Sequence, residues 1–117
     1  MFHYTKNGAW RVNEIPTPIE NAATLKRVPF IAANWDAGAT KNTIKILQSG
    51  APGAGEVGPH GLTAYGSYLV QVINTDATPD EQVDVEIQFA SNGDITMKKS
   101  GLGQDFSGIA IIAGTLD

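Results

Sequence analysis

Tyr68-Leu-Val-Gln-Val-Ile-Asn-Thr75 and Val83-Asp-Val-Glu-Ile-Gln-Phe89, joined through Asp76-Ala-Thr-Pro-Asp-Glu81 and Gln82, decide how this chain is read. In the second run Val83, Val85, Ile87 and Phe89 alternate with Asp84, Glu86 and Gln88, so an extended backbone has one apolar face and one wet face. The link between the runs is turn chemistry: proline fixes φ and removes a donor, and short polar side chains bond their own backbone. The stretch therefore predicts a β-hairpin or a longer β–β connection.

The same signals recur on both sides. Ser91-Asn-Gly-Asp94 predicts a tight hairpin, because Asn-Gly suits the positive φ angles of a type I′ turn. It is followed by Ile95-Thr-Met-Lys-Lys, with Ile95 and Met97 expected inward. Ser100-Gly-Leu-Gly103 is the next turn. The run Phe106-Ser-Gly-Ile-Ala-Ile-Ile-Ala113 is apolar on both faces and predicts a central strand or one buried at an interface. Upstream, Thr40–Gln48 predicts a strand with Ile44 and Ile46 on one face and Lys45 on the other. Thr24–Ala33 is a further strand, placed at an edge or bulge because Pro29 lacks a ladder donor. Residues 1–23 read as an irregular, extended N-terminal arm with one short strand at Ala9–Val12. Pro16 and Pro18 hold Ile15-Pro-Thr-Pro-Ile19 extended, and the arm is expected to lie over the domain's own sheet or over another subunit. The expected fold is all-β, an antiparallel β-sandwich or jelly roll spanning residues 24–117, with a Gly-rich loop at 49–66.

Composition bounds the function. The 117 residues suit one domain, and with no cysteine there is no disulfide, thiolate nucleophile or Cys-ligated metal. No run of apolar residues is long enough for a transmembrane helix, and Met1–Gly8 has no apolar segment of a signal peptide, so neither membrane insertion nor secretion by the usual route is expected. Net charge is −4, divided into +3 over residues 1–45 and −7 over residues 46–117. The acidic balance argues against nucleic acid, whose phosphates need a basic stripe. It also admits pairing of a basic front with an acidic back on a neighbouring copy.

Chemical motifs are sparse. Gly53-Ala-Gly55-Glu-Val-Gly58 matches the letters of the dinucleotide fingerprint. Pro59-His-Gly61 follows it, and no helix opens there to present its amides to a pyrophosphate. The two histidines, His3 and His60, lack a Gly-x-Ser-x-Gly elbow and cannot by themselves complete a zinc site. His60 reads as an exposed loop residue. Asn74, Asp76, Asp80 and Glu81 crowd one connection with oxygen ligands that could hold calcium, but the spacing matches no EF-hand loop and Asp and Asn are ordinary turn residues. Asp84 and Glu86 share a strand face, as a glycosidase pair would, and as a solvated face would. No catalytic residue, cofactor or metal ligand is assigned, and the chain is expected not to be an enzyme. Residues expected at an interface or ligand contact are Trp10, Ile15, Pro16, Pro18, Ile19, Trp35, His60 and Tyr65. The loop aromatics among them could stack on sugar rings or anchor a protein partner.

Gly66-Ser-Tyr-Leu-Val-Gln-Val, Ser91-Asn-Gly-Asp-Ile-Thr-Met and Phe106-Ser-Gly-Ile-Ala-Ile-Ile-Ala-Gly give the C-terminal half a character that resembles the β-rich decoration or tail-fibre tip modules of tailed-phage virions. Those modules are short, glycine-rich and cysteine-free. The resemblance implies a non-enzymatic structural component, a capsid decoration or cement protein or a tail-associated protein. It also implies a homotrimer bound to other virion proteins and located in the virion; without the resemblance, the lack of a signal-peptide segment leads to the expectation of a cytoplasmic protein. The alternative is a carbohydrate-binding, lectin-like module that recognises a host-surface glycan. No residue role carries over from the resemblance.

Overall fold

The computed structural model describes residues 24–64 and 68–114 throughout, together with the backbone of Phe2–Thr5 and Gly8–Arg11. Among the described residues there are ten strands: β1 (Phe2–Thr5), β2 (Gly8–Arg11), β3 (Thr24–Phe30), β4 (Lys41–Ile46), β5 (Glu56–Val57), β6 (Leu69–Asn74), β7 (Glu81–Val83), β8 (Glu86–Phe89), β9 (Ile95–Ser100) and β10 (Gly108–Gly114). One short 3-10 turn, Ala32–Asn34, is the only helical element among those residues. The first sheet has the order β2-β1-β6-β10-β3, with β7 also paired to β6, and the second has the order β5-β4-β9-β8. These strands all pair antiparallel except in the short contact between β4 and β5.

The two sheets pack face to face as the all-β sandwich that the alternating pattern predicts. Val28, Phe30, Val70, Val72, Ala110 and Ile112 of the first sheet meet Ile44, Ile46, Val57, Ile95 and Met97 of the second in one core. Each fully buried aliphatic side chain here contributes about 1.5–3 kcal/mol. The core therefore outweighs the surface polar contacts as the source of the fold.

Four local expectations meet the structure at informative points. Pro29 lies in β3, which ends the first sheet, the edge position expected for a strand that carries a proline. β10 is central, flanked by β6 and β3 along nearly its whole length. The run Val83–Phe89, expected as one strand, is split. β7 pairs with β6 in the first sheet, the chain leaves at Asp84-Val85, and β8 pairs with β9 in the second. The alternation survives the crossing because it is set by the core between the sheets. Val83, Val85, Ile87 and Phe89 all pack against that core. At Ala90–Asp94 the hairpin forms, but the turn is not type I′. Within it only Gly93 has positive φ (+96°), and no described non-glycine residue does. Gly93 N–H donates to Ala90 C=O at 3.1 Å and Ala90 N–H to Asp94 C=O at 2.9 Å, a three-residue loop in which glycine alone supplies the left-handed position.

At the start of the chain β2 meets the short strand expected at Ala9–Val12, while β1 adds a strand where the arm is expected to be irregular. β1 and β2 pair with each other, and β1 joins the first sheet through Tyr4 opposite Val70. Ile15, Pro16, Pro18, Ile19 and Tyr65 lie outside the described residues, as does the side chain of Trp10. The Gly-rich stretch is not a free loop where it is described. Lys45 N–H donates to Gly55 C=O, Leu47 N–H to Val57 C=O, His60 N–H to Leu47 C=O and Gly61 N–H to Gln48 C=O, which lays it along β4.

Gly93 combines its positive φ with tight surroundings: a Cβ there would meet Gln48 Cγ at 2.7 Å and the Ala64 Cα at 3.0 Å. Gly50 has a similar φ of +90° with nothing within 4 Å. We expect Gly50→Ala to cost about 1–2 kcal/mol from the left-handed backbone alone, and Gly93→Ala to cost about 1–3 kcal/mol more from overpacking. Urea midpoints at unchanged slope measure both, and equal losses would show that the backbone angle alone demands glycine at position 93.

Candidate functional site

Three places bring polar or apolar groups together in ways the core does not require. The first is the end of the sandwich where the 3-10 turn meets the β9–β10 connection. Phe30, Trp35 and Phe106 form an aromatic triangle with ring centroids 5.4–5.8 Å apart. Trp35 is 6 % exposed, and its Nε1–H donates to Phe106 C=O at 2.8 Å. Lys99 Nζ sits 5.5 Å from the centre of the Trp35 ring. It also contacts Asp105 Oδ1 at 2.7 Å and donates to the carbonyls of Ser100 and Gly103. Asn42 Nδ2 donates to the same Asp105 oxygen at 2.9 Å. The hydrogen bonds from Lys99 and then Asn42 hold the Asp105 carboxyl below its ordinary pKa. The whole network staples the β9–β10 connection and leaves Leu102 at its tip 99 % exposed, beside an open cleft of about 430 Å³ lined by Ala37–Thr40, Asn42 and Ser100–Leu102.

The second place is His60. It is 2 % exposed, against the expectation of an exposed loop histidine. Nε2–H donates to Gly93 C=O at 2.8 Å, and Nδ1 accepts from Leu62 N–H at 3.1 Å, which fixes the neutral tautomer. The ring packs edge-on against Tyr68, whose hydroxyl donates to Thr63 C=O. Burial pushes the His60 pKa below 6.5, opposed by the Gly93 carbonyl and by Asp94. With both nitrogens spent on backbone groups, His60 is a buried clamp between the glycine-rich stretch and the β8–β9 turn and is not placed to act on a substrate.

Two of the sequence-derived contact residues are thus corrected. Trp35 and His60 are buried because partners far along the chain close over them, so neither ring is offered to a sugar or a protein. The carboxylate pair also resolves: Asp84 lies at the sheet crossing, while Glu86 bonds Lys41 at 2.9 Å and faces Lys98 at 3.9 Å. The Lys41 hydrogen bond keeps Glu86 ionised to lower pH than usual, the wrong direction for a general acid. In the connection rich in Asn, Asp and Glu oxygens, Asn74 Oδ1 accepts from Asp76 N–H, and Asp76 Oδ2 accepts from Ser107 N–H, so these oxygens close the turn. No group of three or more potential metal-binding His or acidic side chains occurs among the described residues.

The third place is the outer face of the first sheet. Residues opposite one another on antiparallel strands share a face, and Val28, Val70, Val72, Ala110 and Ile112 point inward. Their neighbours point out in three rows across β6, β10 and β3: Ile73–Ile109–Pro29, Gln71–Ile111–Arg27 and Leu69–Ala113–Leu25. Seven of these nine side chains are apolar. Leu69 and Ala113 are buried as a small apolar cluster apart from the main core. Ile73, Ile109 and Ile111 are half-buried, Pro29 is exposed, and Leu25 is 64 % exposed. The outer face of the second sheet is the opposite, with Lys41, Thr43, Lys45, Thr96, Lys98, Glu86 and Gln88. The sequence shows that 106–113 is apolar on both faces. The surface emerges only when register joins that run to β6 and β3.

No family model matches the chain, and neither a curated protein nor a solved structure shows significant similarity to it.

His60 makes a stability prediction. Its folded-state pKa lies below 6.5, so the unfolded chain binds the proton more readily and stability is full above pH 6.5 and falls as pH drops beneath it, by up to about 1.4 kcal/mol per pH unit. His60→Gln should remove this slope while His3, present in both proteins, cancels. Denaturant unfolding from pH 7.5 to 5 compares the two, and parallel curves would contradict the clamp.

Proposed function

We propose that the protein is a non-enzymatic structural module that acts by subunit contact, as a component of a phage virion of the decoration or tail-associated kind. The observation that carries the reading is the outer face of the first sheet. A sheet with one solvated face ordinarily alternates apolar and polar residues, as β4, β8 and β9 do. The three strands β3, β6 and β10 instead set seven apolar side chains outward in adjoining rows; Leu25 and Pro29 are exposed and Ile73, Ile109 and Ile111 half-buried, and exposed apolar surface of this kind is what a macromolecular contact uses. The virion assignment rests on the resemblance of the C-terminal half and gives that contact a role: decoration and tail modules work by burying surface against neighbours. A stable contact of this kind buries about 1,200–2,000 Å² in total.

The lectin-like alternative draws on Trp35, Tyr65 or the glycine loop; Trp35 is in the core, Tyr65 lies outside the described residues, and the cleft beside Leu102 offers an open concavity for it. Light scattering behind size exclusion, at two salt concentrations, separates the readings. Wild-type protein should run as a multiple of one chain. Ile109→Lys, with unchanged circular dichroism, should fall toward a single chain, and Leu102→Ser should associate like wild type. A single-chain wild type whose glycan-array signal is lost in Leu102→Ser and kept in Ile109→Lys would replace this function with glycan recognition.

A further inference from the structure

We propose that Lys99 and Asn42 join covalently: Lys99 Nζ displaces ammonia from the Asn42 carboxamide and leaves an isopeptide bond between β9 and β4, with Asp105 moving the protons. The inference goes beyond the assembly reading and does not depend on it.

Register makes the pair. Asn42 and Lys99 stand directly opposite each other on β4 and β9, in line with the pairs Ile44–Met97 and Ile46–Ile95. Those four residues are wholly buried in the core, so the alternation of the strands turns Asn42 and Lys99 inward too. Asn42 is 9 % exposed and the Lys99 side chain 8 %. A lysine on the inner face of a sandwich is uncommon, because its charge must be desolvated. Lys98, one residue earlier, faces outward toward Glu86 as a strand lysine ordinarily does.

The surroundings suit a reaction between the two. A single oxygen, Asp105 Oδ1, contacts Lys99 Nζ at 2.7 Å and accepts from Asn42 Nδ2 at 2.9 Å. The nucleophile and the leaving group thus touch the same base, each within range of proton transfer. The carbonyls of Ser100 and Gly103 hold Nζ from turning out to solvent. The Trp35 ring lies 5.5 Å from Nζ, with Phe30 and Phe106 packed against that ring. Burial disfavours charged forms, and a proton passing from Nζ to Asp105 removes both charges at once. Asn42 also lines the open cleft beside Leu102, which gives released ammonia a way out.

The step balances without a co-reactant. Asp105 takes one proton from the Lys99 ammonium. The freed lone pair on Nζ attacks Asn42 Cγ, and the carbonyl electrons move to the Asn42 oxygen. Asp105 passes its proton to Nδ2, takes a second from Nζ, and the bond from Cγ to Nδ2 breaks as the carbonyl reforms. The second proton leaves with the ammonia as ammonium. One C–N bond replaces another, and nothing is oxidised or reduced. Free amines and amides react very slowly, but well-oriented intramolecular pairs reach effective molarities of about 10⁵–10⁸ M, the advantage that opposed strands supply.

The test is mass spectrometry of the full chain after denaturation, followed by peptide mapping. Wild type should weigh one ammonia less than its sequence, and the peptides carrying residues 42 and 99 should appear as one branched species. Mapping is essential, because a succinimide at Asn92-Gly93 loses the same mass without joining two peptides. Lys99→Arg keeps a cation beside Asp105 and Trp35 but removes the amine, and should show the full sequence mass. Asp105→Asn keeps the shape but removes the base, and should slow joining by about a hundredfold or more. Circular dichroism checks that each variant folds, and the wild-type map decides the inference if one does not. Separate peptides at full mass in wild type, after prolonged incubation at neutral pH, would overturn it. Loss of water, with Lys99 joined to Asp105, would overturn Asn42 as the acceptor. Joining at the wild-type rate in Asp105→Asn would overturn Asp105 as the catalytic residue.

Discussion

The fold depends on one strand being held from both sides. β10 brings residues 24–30 and 69–74 into one sheet, and neither of those strands pairs with the other. Its inward residues Ala110 and Ile112, both fully buried, cap the core that the second sheet fills from below. Its start is equally constrained: a Cβ at Gly108 would collide with the Ile73 carbonyl and crowd the Phe30 ring, so the strand can begin only where the side chain is absent. The ladder is long-range on both sides, so the sheet is not a sum of local hairpins.

Much of this is legible in sequence wherever the signal is local or periodic. Alternation at 83–89 assigns four side chains to the core correctly even though the strand changes sheets midway. Pro29 declares an edge, and the doubly apolar 106–113 declares a centre. Closure over distance is what a linear reading does not reveal. Trp35 sits among Asn34, Asp36 and Ala37, a loop composition, yet its indole bonds a carbonyl 71 residues away. His60 follows a glycine and a proline, yet it is sealed by a carbonyl 33 residues away. The outer apolar face is invisible for a related reason: Ile73 and Ile109 are neighbours only through register, which no single run contains. Asn92-Gly93 signals a hairpin correctly and its turn type incorrectly, since one left-handed glycine suffices when the loop has three residues.

The polar groups divide by what they accomplish. Lys99, Asp105 and Asn42 fix one connection, His60 another, and Asn74, Asp76 and Ser107 a third. Each uses charge or hydrogen bonding to settle where a loop crosses the sandwich end, a task that apolar packing performs poorly because it lacks direction. The loops are thereby pinned at both ends of the sandwich, while the face of the first sheet remains the chemically distinctive surface.

The passage from β7 to β8 has a mechanical meaning. Two stacked sheets joined only by long loops can slide over each other at little cost beyond their side-chain contacts. Here a single extended segment is hydrogen-bonded into the first sheet through Glu81–Val83 and into the second through Glu86–Phe89, with only Asp84-Val85 between. A pull on one layer is handed to the other through two residues of taut backbone, anchored by Val85 in the core. The sandwich bears shear as one body, a property suited to a part that must hold its place while its neighbours move.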